Sequence, residues 1–420
     1  MESYAIVGFG CAGYNGAKAL REHGFDGEIH VYSDVGAGPE NPMMMTYYAG
    51  GIVARDACTP FGSLENIADD LGLTPHVAAV ARINGKNREI MTDTGIFGRF
   101  DKILIASGAS PHIPPIKGIS ADGVHVVRTM RDAERIKERL ESGVSSAVVV
   151  GASMIGIKVA ELLRTAGAEC LLVDIEPRLF PLAALEDTAA ELQRRLEEKG
   201  VKQVYGVGVG KILRDGGKMY ALLTTGERIQ ADIFAICTGT KCNTEFIVPG
   251  TIRTDKGIVV NERMETSAEG IYAAGDCCQG YDIQSGRSAV FGLWESAGMQ
   301  GRTAGKNMAG ACGEYDGNIP HNITHFMDMD FAGIGDNSIP GERRTYKLNN
   351  GLMIELVADD SHASCINLLG DHKVCGIIKS MFLKRLRSGI FQLAAEQESM
   401  LRMHGVPSEV IGFLGGTDCE

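Results

Sequence analysis

The sequence has no apolar run as long as a membrane span, and a strand is predicted from about residue 4, which leaves no room for a signal peptide. Basic residues are fewer than acidic ones, 41 against 53, so the formal net charge is −12. A general nucleic-acid-binding protein needs the opposite balance. The 11 cysteines include no CxxC pair and no Cys/His group with the spacing of a metal site. We therefore expect a cytoplasmic protein with reduced thiols and without a metal, a nucleic-acid partner or a membrane partner.

Glycine, in contrast, is abundant, and its first cluster follows the short apolar strand predicted at residues 4–7. The cluster has the pattern GxGxxG and opens a segment of helical composition. In such a turn the first glycine permits the tight bend, the second lets a pyrophosphate approach the backbone, and the third lets the helix pack on the strand. The end of the next strand suits a ribose hydroxyl, and either Ser33 or Asp34 can face it. The predicted dinucleotide-binding residues are Gly8, Gly10, Cys11, Ala12, Gly13, Ser33 and Asp34.

A second strand–turn–helix–strand unit starts at residues 147–150, so the chain contains two nucleotide-binding units of one design. Ser153 stands where the middle glycine is expected, and its hydroxyl could either crowd a pyrophosphate or hydrogen-bond to it. The acidic residues that follow the second strand repel a 2′-phosphate, which favours NADH over NADPH despite Arg178 nearby. The predicted residues of this site are Gly151, Ser153, Met154, Ile155, Gly156, Asp174 and Glu176.

Small residues end three further predicted strands, where they let a cofactor approach the backbone. Asp276 follows a glycine in the last of these, ahead of a helix predicted over residues 288–308. Its carboxylate can hydrogen-bond to a polyol such as the ribityl chain of FAD, or it can simply cap the helix. The strand-end residues assigned to cofactor binding are Ala106, Ser107, Gly108, Thr238, Gly239, Gly275 and Asp276.

The remaining elements are predicted from apolar periodicity and turn residues. Helices are predicted over residues 128–141, 157–165, 185–199, 374–387 and 389–404. Strands are predicted as a meander over 201–235 and as C-terminal segments over 347–357 and 364–369.

The order of these motifs resembles the pyridine nucleotide–disulfide oxidoreductases. Residues 293–297, which include Trp294, and the helix that follows resemble the branch with rubredoxin and ferredoxin reductases, NADH oxidases and the flavin domain of nitrite reductase. The resemblance implies an α/β fold with two Rossmann-like dinucleotide-binding domains, one inserted in the other, and an α+β C-terminal interface domain. It implies a homodimer and places Trp294 at the FAD. The implied domains are an FAD-binding domain at 1–112 and 245–318, an NAD(P)H-binding domain at 113–244 and a dimerisation domain at 319–420.

Two departures from the family pattern bear on mechanism. Some relatives carry a CxxxxC pair in the first domain and others a single cysteine near residues 41–46, but this chain has neither, and Cys58 is the nearest thiol. A cysteine-based mechanism is therefore not expected. Relatives also place a lysine at the position best matched by Met45, and a glutamate at that of Lys158. We hypothesise that Met45 lies at the flavin and that Lys158 supplies positive charge there; alternatively, Lys158 is a solvated helix residue.

The sequence thus predicts an FAD-dependent NAD(P)H oxidoreductase. Hydride passes from NADH to FAD, and electrons then leave to an acceptor, by resemblance a small electron-carrier protein of the rubredoxin or ferredoxin type. Two alternatives stay open. One is an NADH oxidase that uses dioxygen, or a reductase of a small organic molecule; the other is an NADH-reducible subunit or redox sensor in a larger complex. The adjacent Cys277 and Cys278 are either a strained redox disulfide or two small buried residues.

Overall fold

The computed structural model describes residues 1–359, 362–389 and 392–415, so predictions that fall on residues 360–361, 390–391 and 416–420 lie outside the described residues. Within this description the α-helices are α1 (Cys11–Glu22), α2 (Met45–Ala49), α3 (Leu64–Leu71), α4 (Met130–Glu141), α5 (Met154–Thr165), α6 (Glu186–Glu198), α7 (Trp294–Met308), α8 (Cys375–Ser388), α9 (Ala395–Met403) and α10 (Ser408–Phe413).

The strands of the same residues are β1 (Ser3–Val7), β2 (Glu28–Ser33), β3 (Leu73–Val77), β4 (Val80–Asn84), β5 (Glu89–Thr92), β6 (Phe97–Arg99), β7 (Lys102–Ile105), β8 (Ala109–Pro111), β9 (Val124–His125), β10 (Ser146–Val150), β11 (Glu169–Asp174), β12 (Val201–Tyr205), β13 (Val209–Asp215), β14 (Lys218–Leu223), β15 (Arg228–Gln230), β16 (Ile233–Ile236), β17 (Thr240–Cys242), β18 (Ile258–Val259), β19 (Ile271–Ala273), β20 (Cys278–Asp282), β21 (Arg287–Ala289), β22 (His321–Phe326), β23 (Met329–Gly335), β24 (Glu342–Lys347), β25 (Met353–Ala358) and β26 (Ala363–Leu369).

The chain divides into two compact units. The second unit holds both the second glycine turn and the C-terminal sheet, so the separate dimerisation domain expected at 319–420 stays a prediction. The first unit consists of Met1–Pro111, Arg128–Ala133 and Thr240–Asn318, and the second of His112–Val127, Glu134–Gly239 and the chain from Ile319 onward.

A parallel five-stranded sheet forms the centre of the first unit, in the order β19–β7–β1–β2–β3. Its central strands are apolar and buried on both faces; Ile6 and Leu104, for example, have no exposed surface. Such continuous burial is typical of a parallel sheet covered by helices on both sides. The N-terminus of α1 therefore lies at the carboxyl end of β1, where ligands of such sheets bind.

Glycines allow α1 and α7 to pack backbone against backbone. A Cβ atom on Gly301 would lie 2.2 Å from the carbonyl oxygen of Ala12, and one on Gly305 would lie 2.3 Å from that of Gly16. A larger residue at either position would push the helices apart. This close packing holds the first turn of α1 in place.

The second unit repeats the design. Its parallel sheet has the order β12–β11–β10–β16–β9, and α5 follows β10 as α1 follows β1. Of the meander predicted over residues 201–235, only β13–β14–β15 form an antiparallel sheet, whereas β12 and β16 belong to the parallel sheet. The C-terminal part of the unit is an antiparallel sheet in the order β22–β23–β26–β25–β24. The predicted α/β class with two Rossmann-like units is confirmed.

Three predicted elements are wrong in extent. The helix predicted from residue 288 begins at Trp294, because Gly292 has a φ of +61° and β21 precedes it. The strand predicted over residues 347–357 is a hairpin of β24 and β25, with Gly351 at a φ of +86° in its turn. The last predicted helix, from residue 389, begins at Ala395.

The packing of α1 on α7 makes a stability prediction. Gly301→Ala should lower the free energy of unfolding by about 1–3 kcal/mol, because its methyl group overlaps the Ala12 carbonyl. Denaturant unfolding measures the change. The control is Gly376→Ala in α8, whose added Cβ would meet no atom within 4 Å. Equal losses in both variants would contradict the packing account.

Candidate active site

The first glycine turn is held against the end of a neighbouring strand. Gly8 has a φ of +92°, and a Cβ on it would lie 2.3 Å from the carbonyl oxygen of Ala106. A Cβ on Gly13 would lie 2.2 Å from the carbonyl oxygen of Gly8. Gly10 is different, since a Cβ there would meet no atom within 4 Å. The first and third glycines therefore serve packing, and the second faces open space.

That open space belongs to a cleft of about 160 Å³ at the N-terminus of α1. The helix presents free N–H groups and a partial positive charge there, which suits a pyrophosphate. The open side of Gly10, at the N-terminus of α1, fits the pyrophosphate of the FAD implied by the sequence. The lining residues are Gly10, Cys11, Ala12, Glu40, Pro42, Met43, Ala106, Gly108, Arg128, Ala274, Gly275, Asp276, Gly292, Leu293, Trp294 and Ala297.

Asp276 lies in this cleft, on a loop whose backbone is held by hydrogen bonds with two side chains. The amide side chain of Gln300 accepts a hydrogen bond from the Gly275 N–H at 2.8 Å, and the Cys242 thiol donates to the Asp276 carbonyl oxygen at 3.0 Å. The alternative that Asp276 caps the following helix is wrong, because α7 has Leu293 as its N-cap. The carboxylate therefore faces the cleft without a capping role.

Arg128 is a cleft residue that the sequence analysis missed. Its guanidinium donates to the Asp276 carboxylate at 2.7 Å, and both side chains are largely buried. Asp132 fixes the turn around it by accepting bonds from the N–H groups of Arg128 and Thr129. A fixed arginine at the N-terminus of α1 can bind a phosphate oxygen. The Thr129-x-x-Asp132 capping pattern before α4 was the signal that could have drawn attention to this segment.

The other residues predicted at the first site lie around the cleft rather than in its lining. Ser33 is half-buried and Asp34 is exposed at the end of β2. Ser107 donates to the Asn243 carbonyl oxygen at 2.8 Å. Met45 is fully buried, whereas Met43, two residues earlier, lines the cleft with 60% of its surface exposed. The role of Met45 stays a prediction.

The second glycine turn has the geometry of the first. Gly151 has a φ of +108°, and a Cβ on it would lie 2.4 Å from the Cys237 carbonyl oxygen. A Cβ on Gly156 would lie 2.0 Å from the Gly151 carbonyl oxygen. Gly239 resembles Gly108 in its positive φ, and a Cβ on Gly239 would meet no atom within 4 Å. At the same strand end, the Thr238 hydroxyl donates to the His112 carbonyl oxygen.

Ser153, the departure from the glycine pattern, is turned into the protein. Its hydroxyl accepts a hydrogen bond from the Gly156 N–H at 3.1 Å and donates to the Cys237 carbonyl oxygen at 2.8 Å. It is therefore the N-cap of α5, whose first two residues are Met154 and the partly exposed Ile155. The sequence left open whether this hydroxyl crowds a pyrophosphate or hydrogen-bonds to it. In the structure the hydroxyl is instead bonded to two backbone groups of the protein.

Asp174 ends β11 beside this turn. Its carboxylate accepts hydrogen bonds from the Ala152 N–H at 2.5 Å and the Glu176 N–H at 2.9 Å. Glu176 is exposed. Arg178, the nearby cation, instead donates to backbone carbonyl oxygens of its own loop, including that of Ala184 at 2.6 Å.

Lys158 lies on α5 with its side chain 14% exposed. Its ammonium group pairs with Glu161 on the same helix and donates to the His325 carbonyl oxygen at 3.0 Å. Glu161 in turn accepts from the Met327 N–H at 2.6 Å. The alternative of an ordinary solvated residue is therefore wrong, while a role at the flavin stays a prediction.

Residues 2–301 match the family model described as pyridine nucleotide-disulphide oxidoreductase. The chain belongs to this family. It is an FAD-dependent NAD(P)H oxidoreductase, and FAD and NADH are its cofactors. When bound, FAD takes hydride from NADH and releases electrons singly or in pairs.

The chain is also similar to individual oxidoreductases. An NADH oxidase of Methanocaldococcus jannaschii is 31% identical over 79% of this chain and 75% of that protein. A rubredoxin-NAD(+) reductase of Ectopseudomonas oleovorans is 28% identical over 65% of this chain and 71% of that protein. The structure of an NAD-dependent persulfide reductase from A. fulgidus has a TM-score of 0.85 at 24% identity, and the match covers 96% of this chain and 84% of that one. The last likeness extends the shared fold into the C-terminal sheet.

Despite the family name, the described residues contain no disulfide. Cys277 and Cys278 are separate buried thiols that donate to backbone carbonyl oxygens. Burial raises the pKa of Cys277 to about 11 and that of Cys11 in the cleft to about 11 as well. Protonated, buried thiols of this kind are poor nucleophiles. Among the described residues, no cluster of side chains could hold a metal ion and no helix is long and apolar enough to cross a membrane.

The orientation of the Ser153 hydroxyl leads to a testable prediction. Ser153→Ala should lower the free energy of unfolding by about 1 kcal/mol, because α5 loses its cap. Its affinity for NADH should not change, because the hydroxyl faces Gly156 and Cys237. Denaturant unfolding and calorimetric NADH titration measure the two effects. A clear fall in NADH affinity without loss of stability would show that the hydroxyl contacts the nucleotide.

Proposed function

We propose that the protein oxidises NADH and passes the electrons from its flavin directly to a small electron-carrier protein. The observation that carries the proposal is the composition of the cleft, where the exposed Met43 stands in the segment in which relatives place a cysteine. Cys11 lines the cleft but is buried, with its thiol directed to the Trp294 carbonyl oxygen. Because none of the described residues that line the cleft has an accessible thiol, electrons leave the flavin without a disulfide intermediate.

The residues of the first unit would hold FAD in a defined way. The N-terminus of α1 and Arg128 would bind the pyrophosphate, and Asp276 would accept hydrogen bonds from ribityl hydroxyls. The Arg128–Asp276 pair keeps both groups ordered at the same end of the cleft. Trp294 stacks on Phe61 at 5.8 Å between ring centroids, and Phe61 stacks on Tyr14. These aromatic contacts fix the wall formed by the start of α7.

The preference for NADH over NADPH rests on charge. Asp174 is held at the strand end by two backbone N–H groups, and Glu176 adds a second negative charge nearby. Both would repel a 2′-phosphate, whereas Asp174 can accept hydrogen bonds from a free ribose. Arg178 is the cation that could offset them, but its guanidinium is engaged with loop carbonyl oxygens.

A protein acceptor suits the surface beside the cleft. Met43 and Ile52, on either side of α2, are 60% and 70% exposed. A carrier protein bound at the cleft would cover Met43, which lines it. The similarity to a rubredoxin-NAD(+) reductase supports a small electron-carrier protein as the acceptor. A homodimer formed through residues 319–420 belongs to the same proposal.

The second candidate acceptor is dioxygen, because an NADH oxidase is among the relatives of this chain. In a cleft without an accessible thiol, hydrogen peroxide is the expected product of that reaction. The role as a subunit or sensor in a larger complex stays a prediction, which copurification of partner subunits would check.

Lys158 provides a test of charge beside the flavin. Lys158→Ala should slow flavin reduction by NADH about tenfold if its ammonium group stabilises developing negative charge. Lys199→Ala is the matched control, since Lys199 pairs with Asp328 in the turn that follows Met327. Stopped-flow absorbance measures both rates, and a redox titration measures the flavin potential. Unchanged rate and potential in Lys158→Ala would remove Lys158 from the mechanism.

The identity of the electron acceptor is tested by comparing the rates of NADH oxidation with a carrier protein and with dioxygen. NADH oxidation should be at least about tenfold faster with a rubredoxin or a ferredoxin than with dioxygen alone, because the carrier is reduced on contact with the cleft surface. The count of reactive thiols should be the same before and after NADH reduction. Fast peroxide formation with no carrier reduction would favour the oxidase, and newly released thiols would contradict the direct route.

A further inference from the structure

The C-terminal sheet presents a row of four aligned residues to one loop of the same unit. Gly333 of β23 is paired with Asn367 of β26, Asn367 with Glu355 of β25, and Glu355 with Thr345 of β24. Directly paired residues on antiparallel strands point to the same face of a sheet. Asn367 and Glu355 are polar but almost completely buried. Buried polar groups need partners, and the partners here all lie on residues 183–188.

Each member of the row contacts that loop. The Asn367 amide donates to the Ala183 carbonyl oxygen at 3.0 Å and accepts from the Leu185 N–H at 2.6 Å. Glu355 accepts from the Thr188 N–H and hydroxyl, both at 2.7 Å, at the start of α6. At Gly333 a Cβ would lie 2.5 Å from the Ala183 carbonyl oxygen, so only glycine lets the loop come this close.

The same loop is also fixed at Phe180. Phe180 has a φ of +48°, which is a strained conformation for a bulky residue, and its side chain is buried. Its ring packs on those of Phe331 and Phe326 of the C-terminal sheet, at centroid distances of 5.5 and 6.1 Å. A strained backbone conformation of this kind is retained only where the surrounding structure holds the residue in it. The sheet therefore dictates the path of the chain from Leu179 to Thr188.

The segment from Leu179 to Thr188 follows closely after Asp174 and Glu176, the acidic residues proposed above to exclude a 2′-phosphate. Arg178 is held by it, through the Ala184 carbonyl oxygen at 2.6 Å and the Pro181 carbonyl oxygen at 3.4 Å. Asn337 donates to the same two oxygens, at 3.3 and 3.0 Å, and so keeps them in place. An arginine released from such contacts could turn to a 2′-phosphate, as arginines near this strand end do in NADPH-binding sites.

We propose that Asn367 is a positioning residue for nucleotide specificity. It fixes the loop so that Arg178 binds carbonyl oxygens and stays away from the ribose, which leaves Asp174 and Glu176 to exclude NADPH. The inference rests on the NADH preference proposed above. It assigns to the C-terminal sheet a role in choosing the nucleotide.

The test uses the FAD-loaded protein and two fragments of the nucleotides, AMP and adenosine 2′,5′-bisphosphate, whose binding is measured by calorimetry without any turnover. Asn367→Leu keeps the volume of the side chain but removes both bonds to the loop. Its affinity for the bisphosphate should rise about tenfold, because Arg178 gains a charged partner, while AMP affinity should stay constant. The gain should vanish in Asn367→Leu/Arg178→Ala, which a merely structural effect would not produce.

Ile366→Val on the other face of β26 is the control for a loosened sheet and should bind both fragments like the wild type. If Asn367→Leu does not fold, Asn337→Ala, at a half-buried site, must give the same gain, and its absence there would overturn the inference. A wild-type preference for AMP that persists in both variants would overturn it too, while leaving the proposed function intact. Equal binding of both fragments by the wild type would instead contradict the NADH preference itself.

Discussion

The site depends on one constraint that occurs twice, the contact between the first glycine of each turn and the carbonyl oxygen at the end of a neighbouring strand. In the first unit this is Gly8 against Ala106, and in the second Gly151 against Cys237. Both glycines have a positive φ, so any other residue would meet both a backbone strain and an overlap. The contact draws turn, strand end and helix N-terminus together. The remaining cleft residues are arranged around that junction.

Local patterns predicted this junction because its requirements are local. The glycine needed for the tight turn and the acid at the end of the next strand both belong to a short motif that can be recognised in the sequence. Asp276, which lines the cleft, could be singled out for the same reason. Arg128 could not, because its role arises from contact with a residue 148 positions away. The orientation of Ser153 was equally hidden, since a serine hydroxyl can face ligand or helix and only the position of Cys237 decides it.

The C-terminal sheet shows the limit of motif reading more clearly. Its buried Glu355 and Asn367 look unfavourable in apolar strands, and their partners lie more than 160 residues earlier in the chain. Nothing near them in sequence indicates those partners. The turn at Gly351 was missed for a different reason, because the strand before it, β24, is polar and largely exposed and gives little strand signal of its own. Long-range pairing and competing local signals thus account for most of what the sequence did not predict.

The central claim is that a flavin held by the first unit is reduced by NADH bound to the second, with no thiol taking part. Anaerobic stopped-flow titration of the purified protein, with NADH and separately with NADPH, tests this most directly through the flavin absorbance. The account predicts bound flavin that bleaches quickly with NADH and at least about tenfold more slowly with NADPH. A protein without bound flavin, or a flavin that neither nucleotide reduces quickly, would contradict it.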